Sequence, residues 1–140
     1  MNYSRVVLAA FAALVVFFAW GFLTEGWLIR EDFAPSAALY RTSDLQMKYM
    51  PFGLLGVLVA LLSATVIYAG WCGVTSGATQ GLKFGLLMGL FTACIHAISN
   101  LVTMNMDLKL GLEISVSTFV GWVLAGVTIG LVYKPSVARH

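Results

Sequence analysis

Polar residues that could bind or transfer ions recur along one side of a predicted helix in the second half of the chain. They follow one another at i, i+4, i+7, i+8 and i+11, which places them on one helical face: Thr92, His96, Ser99, Asn100 and Thr103. The surrounding sequence is apolar, and lipid cannot satisfy polar groups. We therefore expect this stripe to face the interior of a helical bundle or another subunit.

Three further polar residues are expected near the same depth. Glu25 lies toward the end of the first apolar segment, and Glu113 and Ser117 lie one helical turn apart at the start of the last one. Glutamate, histidine and asparagine together could bind a hard or borderline cation, or relay protons. The sequence thus predicts a polar pocket formed by eight residues: Glu25, Thr92, His96, Ser99, Asn100, Thr103, Glu113 and Ser117.

Structural interpretations of the same residues stay open. Glu25 could extend to the membrane interface or pair with Arg30. Glu113 suits the N-terminus of a helix, where the helix dipole stabilises negative charge. Asn100 could serve only as a polar contact between helices, and His96 as a buried histidine with a neighbouring hydrogen-bond partner.

Several kinds of site are excluded by residue type. His96 is the only histidine within an apolar segment, because His140 ends the sequence, so a bis-histidine haem within one chain is excluded. A zinc site with several Cys or His ligands is not expected, and the metal, if there is one, stays unknown. No P-loop, H-E-x-x-H or G-x-S-x-G motif occurs. We predict no catalytic residues and favour a non-enzymatic protein.

The elements that carry these residues belong in a membrane. Of 140 residues, 60% are hydrophobic and only 10% are charged, against about 25% charged residues in soluble domains. A water-soluble fold of this size needs more charged residues on its surface than this chain has. Lipid must therefore solvate most of the surface. The net charge of +2 is scattered, and no stretch is rich in Lys and Arg, which argues against nucleic acid as a partner.

Four apolar runs are long enough to cross a hydrocarbon core of about 30 Å. They predict helices at about 6–29, 51–73, 82–104 and 111–133, with Pro51 suited to a first helical turn. The fold class is therefore all-α, a transmembrane four-helix bundle of antiparallel up-down-up-down topology in a single domain, 1–140. Both termini lie on one side, here called side A, and the extramembrane connection 30–50 lies on side B.

Glycines supply the expected packing contact. Gly81, Gly85 and Gly89 form a ridge along the third helix, and Gly126 and Gly130 lie at a matching depth on the fourth. In lipid, helices associate through close packing of small residues. We expect the two ridges to pack against each other, although either could instead face another chain.

Orientation rests on lysine and arginine, which are balanced. Each side carries four: Arg5, Lys83, Lys134 and Arg139 on side A, and Arg30, Arg41, Lys48 and Lys109 on side B. The side-A segments are shorter, so their positive charge is denser. By the positive-inside rule, both termini are then expected in the cytoplasm.

One resemblance concerns the second half of the chain. Asn100-Leu101-Val102-Thr103, then Leu108-Lys109-Leu110 and an apolar last helix, resemble families of small bacterial four-helix membrane proteins known only as domains of unknown function. The opening Met1-Asn2-Tyr3 is similar as well. Those families carry a Tyr-Asp pair just before the asparagine, where this chain has Ala97-Ile98-Ser99. The resemblance implies the fold and a bacterial inner membrane, and it implies no activity.

Two functions follow as hypotheses. The first is a non-enzymatic subunit or accessory component of a membrane complex, or a homo-oligomer, with the lipid bilayer and other membrane subunits as partners. The alternative is a small transporter or ligand-binding protein with a polar pocket in the side-B half of the bundle. An intramembrane enzyme with Glu25 or His96 as general base is a third hypothesis.

Overall fold

The computed structural model describes residues 2–72 and 75–135, without the side chains of residues 97, 98, 100 and 101. Four α-helices cover most of this length: α1 (Tyr3–Leu23), α2 (Ser43–Trp71), α3 (Ala78–Thr103) and α4 (Leu108–Val132). The described residues contain four segments that are long and apolar enough to cross a membrane. The all-α, antiparallel four-helix bundle expected from the sequence is confirmed, and the protein is an integral membrane protein.

Helix α1 does not stay regular to its end. It begins at Tyr3, where the Asn2 side chain accepts a hydrogen bond from the Arg5 backbone N–H at 3.2 Å. At Thr24–Leu28 it widens into a π-helical turn, in which the Ile29 N–H reaches the Thr24 carbonyl at 2.9 Å. One extra residue per turn changes the direction of every side chain beyond it, and such turns are frequent at functional sites.

The connection between α1 and α2 differs from the expected 30–50 segment. Residues Arg30–Leu39 form a 3₁₀ helix, and α2 begins at Ser43. Pro51 therefore lies inside α2, so its expected place in the first turn is wrong. Two hydrogen bonds from Gln46 stabilise the start of α2 before Pro51. The Gln46 backbone N–H donates to the Thr42 carbonyl at 2.9 Å, and its side-chain amide donates to the Arg41 carbonyl at 2.8 Å.

The glycine ridges of α3 and α4 lie against each other within one chain. A Cβ atom placed on Gly85 would lie 2.8 Å from the Trp122 carbonyl oxygen and 2.9 Å from the Val123 Cα. One placed on Gly126 would lie 2.5 Å from the Gly85 Cα. Gly81, Gly89 and Gly130 meet the opposite backbone in the same way. The intramolecular alternative therefore describes this structure.

The packed core lies toward side A. Helix α4 contacts α3 and α1, and α1 in turn contacts α2. Tyr68 of α2 closes the arrangement, because its ring packs edge-on against Phe84 of α3 at 5.4 Å and against Tyr133 at 6.1 Å between centroids. On α1 the contact surface consists of small side chains, with Ala9, Ala10 and Ala13 completely buried. The side-B ends of the helices therefore surround a less tightly packed region.

Substitution Gly85→Ala should destabilise the bundle. The added methyl group meets backbone atoms, which cannot rotate away, so α3 and α4 must separate at a cost of about 1–3 kcal/mol. The measurement is the midpoint of reversible SDS unfolding in micelles. Gly56→Ala on α2 is the matched control, because a Cβ there has no neighbouring atom within 4 Å. Equal midpoints for the two variants would show that the α3–α4 approach is not a stabilising contact.

Candidate functional site

The polar stripe of α3 does not face the interior of the bundle. His96, Ser99 and Thr103 are all exposed, so they do not lie in the interior of this chain's bundle, and the alternative that they face another subunit stays a prediction. Thr92 is half-buried, and its hydroxyl donates to the Met88 carbonyl at 2.8 Å. The side chain of Asn100 lies outside the described residues. The predicted pocket is therefore not assembled around α3.

The stripe continues the glycine ridge along the same face of α3. From Gly89 the steps to Thr92, His96, Ser99 and Thr103 are of three or four residues, so all of them project in one direction. In the side-A half this direction leads to α4. On the α4 face that meets the glycine ridge, Ser115 is still buried, whereas Leu112 and Leu108 are exposed. Exposed residues thus occur on this face of both helices toward side B.

Ser117 belongs to a buried contact that holds α1 against α4. Its hydroxyl lies 2.8 Å from the Thr24 hydroxyl, and its carbonyl accepts a hydrogen bond from the Trp20 indole N–H at 2.9 Å. The Thr24 hydroxyl also lies 2.9 Å from the Trp20 carbonyl. These bonds fix the start of the π-helical turn, so Ser117 has a positioning role in the contact between α1 and α4.

Glu113 takes part in a charge cluster at the N-terminus of α4. The Lys109 ammonium lies 2.6 Å from Asp32 of the 3₁₀ helix and 3.6 Å from Glu113. The second oxygen of Glu113 is buried and has no hydrogen-bond partner among the described residues. Lys109 therefore ties the 3₁₀ helix to α4 across the side-B end of the bundle.

Glu25 is the one predicted pocket residue, among the described residues, that lines a large cleft between three elements of the structure. This cleft has a volume of about 1110 Å³ and lies on side B, between the π-helical turn, the 3₁₀ helix and the start of α2. Its lining combines charged, aromatic and apolar side chains: Glu25, Arg30, Phe33, Ala34, Ala37, Leu39, Tyr40, Arg41, Thr42, Gln46, Tyr49 and Met50. We call it the side-B cleft.

The charges of the side-B cleft are one carboxylate and two guanidinium groups. Glu25 and Arg30 both line it, yet no ion pair joins them, since the ion pairs found among the described residues belong to Lys109. The Arg41 guanidinium stacks over the Tyr49 ring at 4.1 Å from its centroid. Glu25 also interacts electrostatically with His96, which brings two of the predicted residues near each other.

The negative charge of Glu25 also acts on Tyr40. Burial raises the pKa of its phenol above the ordinary value, and the negative charge of Glu25 raises this pKa further. Its ring packs edge-on against Phe33 at 5.4 Å. The neutral phenol is thus the favoured form, and it can donate a hydrogen bond into the cleft.

The arrangement does not assemble a metal site. Among the residues that the structure describes, no three side chains of His, Cys, Asp or Glu come together as a metal ion would require. Glu25 and Glu113 belong to separate clusters, one in the cleft and one around Lys109. What the cleft offers chemically is anion binding by two arginines beside a hydrogen-bond acceptor.

Sequence reasoning missed most of the cleft residues. Tyr40, Arg41 and Tyr49 lay in a segment expected to be extramembrane, and nothing in their spacing points to a common cavity. The available signal was composition, because aromatic residues and arginines concentrate between the first two apolar segments. No family model matches this chain, and no curated protein or solved structure matches it either.

Substitution Glu25→Gln should lower the pKa of Tyr40 without bringing it fully back to the ordinary value of about 10, because the charge is removed and burial remains. Phenolate absorbance near 295 nm, taken as the difference from the Tyr40→Phe variant, measures this pKa in micelles.

Glu31→Gln is the control, since Glu31 is exposed on the same 3₁₀ helix and does not perturb Tyr40. The folded state binds the Tyr40 proton more tightly than the unfolded state does. The contribution of Tyr40 to the free energy of unfolding is therefore present below pH about 10 and is lost as the pH rises through the raised pKa. If the pKa of Tyr40 were unchanged in Glu25→Gln, this would contradict the electrostatic effect of Glu25 on Tyr40.

Proposed function

We propose that this chain is a non-enzymatic subunit that works within an assembly in the membrane, as a homo-oligomer or as part of a larger complex. One observation carries the proposal. His96 and Ser99 are exposed on a membrane-spanning helix, and neither the imidazole nor the hydroxyl makes a hydrogen bond to another described residue.

Lipid makes this exposure costly. Hydrocarbon offers no donor or acceptor, so polar side chains of membrane helices bond across helices or line water-filled spaces. The threonine hydroxyls of the stripe donate hydrogen bonds to backbone carbonyls of their own helix. Thr92 donates to the Met88 carbonyl and Thr103 to the Ser99 carbonyl. His96 and Ser99 do not, and a polar helix of a second chain would supply the missing partners.

The remaining surface is consistent with a small subunit surrounded by lipid. Large apolar side chains are exposed on all four spans, among them Phe22, Leu55, Leu87 and Leu131. Transport is less well supported, because the side-A half of the bundle is closely packed by glycines and buried aromatic rings.

A cysteine placed at His96 should cross-link to a second chain in native membranes. The natural Cys94 is the internal control, because it is also exposed but lies on the opposite face of α3. The experiment compares Cys72→Ala with Cys72→Ala/Cys94→Ala/His96→Cys under copper–phenanthroline oxidation.

We expect a larger species on non-reducing gels from the His96→Cys protein and little from Cys94 alone. A band at twice the monomer mass indicates a homodimer, and another mass indicates a different subunit. A His96→Cys protein that stays monomeric, and also runs as a monomer in native gels after mild extraction, would overturn the proposal.

The setting of this assembly is also a proposal. We infer a bacterial inner membrane from the resemblance to small four-helix families, and cytoplasmic termini from the denser positive charge of the short side-A segments. A green fluorescent protein fused to the C-terminus should then fluoresce, and alkaline phosphatase fused there should be inactive. The opposite pattern would place side B in the cytoplasm.

A further inference from the structure

We propose that the side-B cleft binds the head group of an anionic phospholipid, with Arg30 and Arg41 on its phosphate and Glu25 accepting a hydrogen bond from a head-group hydroxyl. This inference does not depend on the assembly proposed above, because no described residue of α3 lines the cleft.

The position of the cleft favours a lipid. It opens where the first span ends, at Thr24–Leu28, and where α2 enters the membrane through its first turns. This is the depth of phospholipid head groups, and tyrosines such as Tyr40 and Tyr49 are enriched there. A volume of about 1110 Å³ is at the upper end of ordinary ligand pockets.

The charge of the cleft favours an anion. Two guanidinium groups and one carboxylate leave a net charge of +1, and neither arginine pairs with a carboxylate among the described residues. Guanidinium binds phosphate through two parallel charge-assisted hydrogen bonds.

The neighbours of Arg41 hold it ready for such a ligand. Its side chain stacks on Tyr49, and its backbone carbonyl accepts the hydrogen bond from Gln46 that begins α2. A side chain held in place loses less freedom when it binds, so more of the interaction appears as affinity.

The apolar part of the lining explains why a lipid suits the cleft better than a free anion. Phe33, Leu39 and Met50 line it with apolar atoms, which offer nothing to an inorganic phosphate. The first carbons of an acyl chain can lie against them and remove that surface from water. Glu25 repels a second negative charge, so the cleft suits a phosphodiester with one charge.

Native mass spectrometry of the full chain in micelles tests the proposal, with phosphatidylglycerol and phosphatidylcholine of identical acyl chains as probes. We expect phosphatidylglycerol to bind with a dissociation constant about tenfold lower, because a charge-assisted hydrogen bond is worth about that factor. Arg41→Gln and, separately, Arg30→Gln should each reduce the preference severalfold. If one variant fails to fold, the other still decides the result.

Lys48→Gln is the matched control, because it removes one positive charge from the same membrane face outside the cleft lining. It should keep the preference. Equal binding of the two lipids, or the same loss in Lys48→Gln as in Arg41→Gln, would overturn the proposal. Displacement of phosphatidylglycerol by an equal concentration of glycerol 3-phosphate would overturn the lipid as occupant and indicate a soluble anion.

Discussion

In a bilayer the helices α3 and α4 are held together by close packing, because lipid is as apolar as their side chains and no hydrophobic force joins them. The glycines at 81, 85 and 89 allow their backbones to touch the glycines at 126 and 130 and the residues around Trp122. This contact fixes α4 as the most buried helix, and α1 then packs on its other side. The positions of these glycines therefore explain why the side-A half of the bundle is tightly packed and the side-B half is more open.

The open half concentrates the chemistry of the chain. The glycine contacts between α3 and α4 lie toward side A, and several polar groups lie toward side B. Thr24, Ser117 and Trp20 join α1 to α4 and set the π-helical turn, and that turn directs Glu25 toward the cleft. Lys109 then holds the 3₁₀ helix near α4. The side-B cleft and the exposed face of α3 both lie in this more open half of the bundle.

These surfaces suit different partners. His96, at the end of the third candidate span, and Ser99 lack hydrogen-bond partners among the described residues, which supports the proposed contact with a second polar helix. The cleft carries two arginines that form no ion pair among the described residues, and apolar side chains also line it, which supports the proposed binding of an anionic phospholipid. A lipid bound near the junction of α1 and α2 would also stabilise the 3₁₀ helix that ends at Leu39. The proposed assembly and the proposed lipid binding are therefore compatible in one chain.

The sequence by itself determined the membrane location, the four crossings, the antiparallel topology and the glycine ridges, because apolar length and helical spacing are local properties. It also predicted that Glu25 and His96 lie in the side-B half of the bundle. Only the tertiary structure decided which face of α3 stays uncovered, that Ser117 is a buried contact, and that Arg30, Arg41 and Tyr40 share a cleft. Those outcomes depend on a π-helical turn and on a helix that begins at Ser43. Both arise from contacts between distant or irregular segments, which no periodic pattern records.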